Sequence, residues 1–266
     1  MYLKIGDDTI FAAGDMKSTG QSESVIVLLH GAGMDHTFWA YNTRYFLGKG
    51  RSVIALDFPG HGNSTGQFLE TISEMADWVN LCLNMFHAES IALAGHSMGA
   101  LVALELAGRA QQRVSRLALL GAGFPMTVSS PLLDAARSDS QAARDMVVLF
   151  GHGSRAYLGG NTVAGMNIME GALRLLQRSN PGALYNDLNA CNEYSNGLEA
   201  AKKVSASTTL ICGEQDKMTP VSATAGILGQ IDDVTRSVIP FAGHMMVSES
   251  PELTHRCLVS ALLPDV

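Results

Sequence analysis

Short aliphatic and β-branched runs alternate along the chain with segments whose apolar residues recur every three or four positions, a pattern that predicts parallel strands joined by helices. Strands are expected over residues 25–29, 53–56, 91–94, 117–120, 209–212 and 238–239, with an antiparallel hairpin over 3–12 at one edge. Helical spacing is clearest in Ile72, Met75, Ala76, Val79, Leu83 and Phe86, which share one apolar face. Leu253, Cys257, Leu258, Ala261 and Leu262 repeat it behind Pro251, a residue tolerated in a helix's first turn. The fold class is therefore α/β, a mostly parallel, doubly wound sheet with helices on both faces.

The alternation lapses over residues 121–207, where apolar residues follow helical spacing only. Residues 1–120 and 208–266 are read as one core domain and 121–207 as a helical insertion. Pro131, Gly159-Gly160 and Asn180-Pro181-Gly182 divide the insertion, and Ile168, Met169, Ala172, Leu173 and Leu176 mark one amphipathic face. Such an insertion is either a lid over a pocket or an added helical layer; a lid is the expectation.

Composition narrows the functional classes. With 266 residues, 47% hydrophobic and 16% charged, the chain can bury one large core, which excludes disorder and coiled coil. Its formal charge of −7 gives no grip on nucleic-acid phosphates or an anionic membrane. Cys82, Cys191, Cys212 and Cys257 form no C-x-x-C pair and are expected as reduced, mostly buried thiols. The first residues carry no export-signal pattern, and no apolar run reaches the roughly 18 residues of a membrane span. A cytoplasmic protein without membrane insertion is expected.

The chemistry centres on Gly95-His96-Ser97-Met98-Gly99, a G-x-S-x-G sequence between a predicted strand and the helix-like 100–106. That context presents the serine hydroxyl on a sharp turn at the positive end of a helix. A serine is a poor nucleophile at neutral pH, so it needs a base to take its proton and an acid to fix the base's tautomer. Of eight histidines, His244 follows the last strand, at the edge of the sheet where a loop can reach Ser97. For the acid, the loop after strand 209–212 offers Asp216, with Glu214 as the alternative, before Thr219 and Pro220 cap and start a helix. The loop after strand 117–120, Gly121-Ala122-Gly123-Phe124, offers no carboxylate.

Serine, aspartate and histidine in this order on alternating strands and helices resemble the α/β-hydrolase family, and the resemblance spans nearly the whole chain. His30-Gly31-Ala32-Gly33 looks like that family's oxyanion loop, Asp57-Phe58-Pro59-Gly60-His61-Gly62-Asn63-Ser64 like its next loop, and Gly243-His244 with Glu249 and Pro251 like its final segment. The loops at residues 30–33 and 95–99 are similar to those of monoglyceride lipases; the insertion shows no such likeness. The resemblance implies an α/β-hydrolase fold, Ser97 as nucleophile, His244 as base and then acid, Asp216 as the group orienting it, and the backbone amides of Ala32 and Met98 as oxyanion hole.

A serine hydrolase of small-molecule carboxylic esters is the reading these residues support first, with short to medium acyl chains under an apolar lid. The same three groups could instead cleave a carbon–carbon bond in a diketone, a thioester or an amide. A third reading is a ligand-binding receptor that retains a slow triad. His30 and His61 are expected to shape loops by hydrogen bonding rather than to hold a metal, and no cofactor is expected. Trp39 and Phe38 are read as packing residues; Met126, Met146 and Met166 either line an adaptable pocket wall or fill core.

Overall fold

Along β3 (Val25–Leu29) every side chain is buried, and the alternation of a strand sends Val25, Val27 and Leu29 into one apolar cluster and Ile26 and Leu28 into another. Two buried faces demand helices on both sides. The structure is a computed structural model that describes residues 1–16, 24–157, 159–161 and 164–263. Its strands are β1 (Tyr2–Ile5), β2 (Asp8–Asp15), β3, β4 (Val53–Leu56), β5 (Ile91–His96), β6 (Val114–Leu120), β7 (Ser207–Gly213) and β8 (Val234–Ile239). They form one eight-stranded sheet in the order β1-β2-β4-β3-β5-β6-β7-β8. β1 and β2 form the antiparallel hairpin, β2 joins β4 antiparallel, and every later pairing is parallel.

The helices are α1 (Ala40–Gly48), α2 (Ile72–Met85), α3 (Met98–Arg109), α4 (Ser130–Arg137), α5 (Gln141–Gly151), α6 (Ser154–Tyr157), α7 (Ile168–Arg178), α8 (Ala183–Glu193), α9 (Gly197–Lys202), α10 (Ala225–Leu228), α11 (Met246–Glu249) and α12 (Pro251–Leu262). Phe46 of α1 and Leu258 and Leu262 of α12 cover one face of the sheet; α2 and α3 cover the other. A capping box starts α2, with Glu74 N–H donating to the Thr71 hydroxyl at 3.1 Å and Thr71 N–H to the Glu74 carboxylate at 3.1 Å. Pro251 occupies the first turn of α12, as the sequence predicts.

The predicted strands all exist, several longer than expected. The largest difference is β8, predicted over two residues and formed by six, because it is the sheet edge and its Thr235, Arg236 and Val238 face solvent. Such a strand carries no continuous apolar signal.

Between β6 and β7 the described residues form helices α4 to α9. A Cβ on Gly108 of α3 would lie 2.6 Å from the Ala200 carbonyl oxygen, so α9 packs directly on α3 and continues the layer beside the sheet. The predicted face of α7 buries Ile168 and Leu176. Among the methionines, Met126 is buried beside the cavity described below and Met146 packs on the core, whereas Met166 is exposed and fills neither of its expected roles. Trp39 is fully buried and Phe38 packs beside it, ring centroids 5.1 Å apart. All four cysteines are free, three of them buried. Among the described residues no helix is long and apolar enough to cross a membrane.

Candidate active site

Ser97 stands where β5 passes into α3, at φ 55° and ψ −116°, a region L residues rarely occupy and one that costs about 1–3 kcal/mol. The turn is possible because strand and helix meet without side chains between them. A Cβ on Gly95 would overlap the Gly99 carbonyl, and one on Gly99 would lie 2.6 Å from the His30 carbonyl oxygen. Ser97 N–H donates to the Leu120 carbonyl at 2.9 Å, tying the turn to β6. Strain of this kind persists only where the surroundings hold a residue firmly in place.

The loop after β8 carries His244 and the loop after β7 carries Asp216, both buried. His244 Nδ1 lies 2.8 Å from Asp216 Oδ2, and since a carboxylate only accepts, Nδ1 holds the proton. That leaves Nε2 as the free acceptor; it is buried and makes no hydrogen bond among the described residues. Asp216 also accepts the N–H groups of Met218 and Thr219 on Oδ1 and the Thr219 hydroxyl on Oδ2, each at 2.8 Å. Burial alone would raise its carboxyl; the His244 beside it and these hydrogen bonds hold it below the ordinary aspartate value instead. Glu214, the alternative acid, is exposed and accepts Phe241 N–H at 2.7 Å, away from this contact.

One expectation is corrected here. Thr219 and Pro220 do not cap and start a helix: a 3-10 turn begins at Val221 with Pro220 as its cap residue, and no side chain caps it. The Thr219 hydroxyl is committed to Asp216 and lies 3.1 Å from His244 Nδ1.

His244 is walled by its neighbours. His96 Nε2–H donates to its carbonyl at 2.9 Å, and a Cβ on Gly121 would lie 2.9 Å from its Cε1. Glu249 accepts Gly243 N–H at 2.9 Å and Gly153 N–H at 2.7 Å, joining the histidine loop to the end of α5. Of these contacts, only Glu249 carried a signal in the sequence.

The loop at residues 30–33 passes against the serine: a Cβ on Gly31 would lie 3.3 Å from Ser97 Cβ. Met98 is the first residue of α3, where N–H groups lack intrahelical partners. Gly31, Ala32, Ser97 and His244 line a small cavity of about 20 Å³, room for one oxygen-sized group. Beyond it Ser97 and His244 line a larger cavity of about 290 Å³. Met126, Val128 and Leu132, Phe150 of α5, Leu188 of α8 and Met218 make its apolar wall; among the described residues lining it, Lys217 brings a charge.

His30 and His61 sit in the loops the sequence assigned to them. His30 Nδ1–H donates to Gly31 O at 2.9 Å and Nε2 accepts Phe58 N–H at 3.3 Å, joining two loops as a neutral ring. Burial, then repulsion from His61, lowers His30 to about 4; burial, then His244, lowers His96 to about 3. Unfolded histidines take protons near 6.5, so between about pH 6.5 and 4 these two rings together bind up to about two more protons in the unfolded chain than in the folded one. This contribution to stability is complete above pH 6.5 and falls with pH by up to about 2.7 kcal/mol per unit. Urea midpoints at pH 7 and pH 5 measure it: the midpoint is expected to drop clearly at pH 5, and equal midpoints contradict the assignment.

A family model described as the alpha/beta hydrolase family matches residues 26–256. The dihydrolipoyllysine-residue acetyltransferase component of an acetoin cleaving system from Pseudomonas putida is 37% identical over 136 residues, 49% of this chain and 36% of that protein. The chain thus covers little more than a third of that relative's length. Pimeloyl-[acyl-carrier protein] methyl ester esterase from Aromatoleum aromaticum is 28% identical over 261 residues, 91% of this chain and 97% of that protein. The enol-lactonase from Burkholderia xenovorans LB400 superposes with a TM-score of 0.83 at 18% identity over 98% of this chain and 99% of that one, a likeness of fold. With the family matched from the first core strand to the last helix, the chain belongs to the alpha/beta hydrolase family.

Proposed function

We propose that the protein is a serine hydrolase that cleaves carboxylic esters through an acyl-enzyme on Ser97. The observation that carries this reading is the buried His244, bonded to Asp216 through one nitrogen and with the other free, lining the same cavity as the strained Ser97. Ser97 Oγ attacks the ester carbonyl while His244 Nε2 takes its proton; Asp216 keeps the imidazole in the accepting tautomer and stabilises the imidazolium. The developing oxyanion enters the small cavity beside the Ala32 and Met98 amides, where fixed donors need little reorganisation. The alcohol leaves with the proton from His244, and a water activated by the same nitrogen then frees the acid and Ser97.

The acyl group is assigned to the larger cavity. Its volume is about twice that of an engineered apolar cavity that binds benzene, which suits a short to medium chain, and its wall is mostly aliphatic. Helices α4 to α8 act as the lid in this reading, since α5 and α8 supply Phe150 and Leu188 to that wall. The relative aligned over 91% of the chain bears the name of a methyl ester esterase, which favours ester cleavage over other bonds. A p-nitrophenyl ester series from acetate to laurate, run beside a vinylogous diketone, tests the assignment. Esters are expected to turn over fastest at short to medium length; negligible ester turnover beside rapid diketone cleavage overturns it.

Gly121 supplies a second test of this geometry. A side chain there meets His244 at 2.9 Å, so Gly121→Ala is expected to displace the imidazole and lower kcat by about a hundredfold, with KM little changed. Steady-state kinetics on the preferred ester measure this, and an unchanged kcat would mean that His244 does not act from its present position.

A further inference from the structure

Helix α8 carries Leu184, Leu188 and Cys191 on one buried face, and in the middle of that face stands a fully buried carboxylate, Asp187. Its Oδ2 accepts the N–H of Gly33 at 2.8 Å and lies 2.9 Å from His61 Nε2; its Oδ1 accepts the Asn186 amide at 3.1 Å. The other His61 nitrogen lies 3.0 Å from the Pro59 carbonyl. A carbonyl and a carboxylate both only accept, so both ring nitrogens carry protons and the ring is an imidazolium. Burial alone would lower His61 and raise Asp187; their pairing reverses both directions. A buried pair of this kind is weak evidence for stability, because apolar residues of similar volume commonly do as well. What it holds is the peptide between Ala32 and Gly33, the one that follows the Ala32 N–H in the chain.

We infer that Asp187 is a positioning residue that reaches from the inserted helices to lock the oxyanion loop in its receiving conformation, with His61 as its counter-charge. The inference rests on the ester-hydrolase reading above. Asparagine at this position breaks the lock whichever way it turns. With its oxygen toward Gly33 it leaves no counter-charge, so the ring either stays an unpaired imidazolium or gives up a proton and turns a bare nitrogen on the Pro59 carbonyl or the amide oxygen; with its nitrogen there it sets donor against donor. Adding His61→Gln restores the balance, since a glutamine amide and the Gly33 N–H both donate to the asparagine oxygen with no charge buried.

The test compares wild type, Asp187→Asn and the His61→Gln/Asp187→Asn double variant in thermal melting, ester kinetics and binding of phenylboronic acid. That probe forms a bond from boron to the Ser97 oxygen, giving a tetrahedral boronate as the hydroxyl proton passes to His244. Asp187→Asn is expected to lose about a hundredfold in kcat and a similar factor in boronate affinity, the size expected for one misplaced oxyanion donor, with KM within about threefold. The double variant should return to within about tenfold of wild-type kcat. A folded Asp187→Asn protein with unchanged kcat, or with reduced kcat but unchanged boronate affinity, overturns the inference. Should that variant not fold, the double variant decides: failure to fold, or folding without the recovered activity, also overturns it. A wild type that hydrolyses no ester and leaves Ser97 unmodified defeats the ester reading itself, before any variant is compared.

Discussion

Replacing Ser97 by alanine is expected to lower ester turnover by about six orders of magnitude, the loss seen when the nucleophile of a comparable serine triad is removed in subtilisin. The size follows from the route. Without the oxygen there is no acyl-enzyme, and what remains is binding next to two backbone amides and an idle base. Because Ser97 pays for its place with a strained backbone, the alanine protein is also expected to keep the fold, held by the Ser97 N–H bond to Leu120 that alanine retains. KM should change little, since the acyl wall is untouched. Wild-type-like hydrolysis of p-nitrophenyl butyrate by the purified Ser97→Ala protein would end the proposal.

Asp216→Asn is expected to lower kcat by about four orders of magnitude, as the equivalent exchange does in a serine protease. Asp216 Oδ2 receives both the His244 Nδ1–H and the Thr219 hydroxyl, while Oδ1 receives two backbone N–H groups. An amide that keeps its oxygen toward those backbone donors must present its nitrogen to His244. The ring then accepts at Nδ1 and carries its proton on Nε2, the nitrogen that has to take the proton from Ser97. Binding of the acyl chain is not involved, so KM should hold while kcat falls. A loss smaller than about tenfold, measured on a variant with wild-type melting temperature, contradicts the role given to this carboxylate.

How much of this was legible in the sequence depends on what each residue does. The parallel strands were, because both of their faces are buried and their aliphatic runs are continuous. Edge strand β8 was legible only at its end, and α1 not at all: it buries Asn42 and Thr43 together with Phe46 while leaving Tyr41 exposed, so it has no apolar stripe to read. Ser97, Asp216 and His244 could be picked out because each lies just beyond a recognisable strand. Thr219 was misassigned because a threonine before a proline is a common helix start, and its hydroxyl turned out to serve a carboxylate three residues earlier. Gly121 was passed over as a position without a carboxylate, when its missing side chain is what admits the imidazole. Asp187 left one signal, an acidic residue in register with Leu184, Leu188 and Cys191, but Gly33 and His61 lie over a hundred residues away in sequence and only the fold joins them to it.

The central claim is that a single serine oxygen carries the acyl group between two half-reactions. Rapid acid quenching of the enzyme during turnover of a slowly deacylating ester, followed by peptide mass spectrometry, reads this directly. The account predicts an acyl mass on the peptide containing Ser97, absent from the Ser97→Ala protein and lost on chasing with buffer. Sustained ester turnover with no adduct on that peptide, or with the acyl group on another residue, would contradict it.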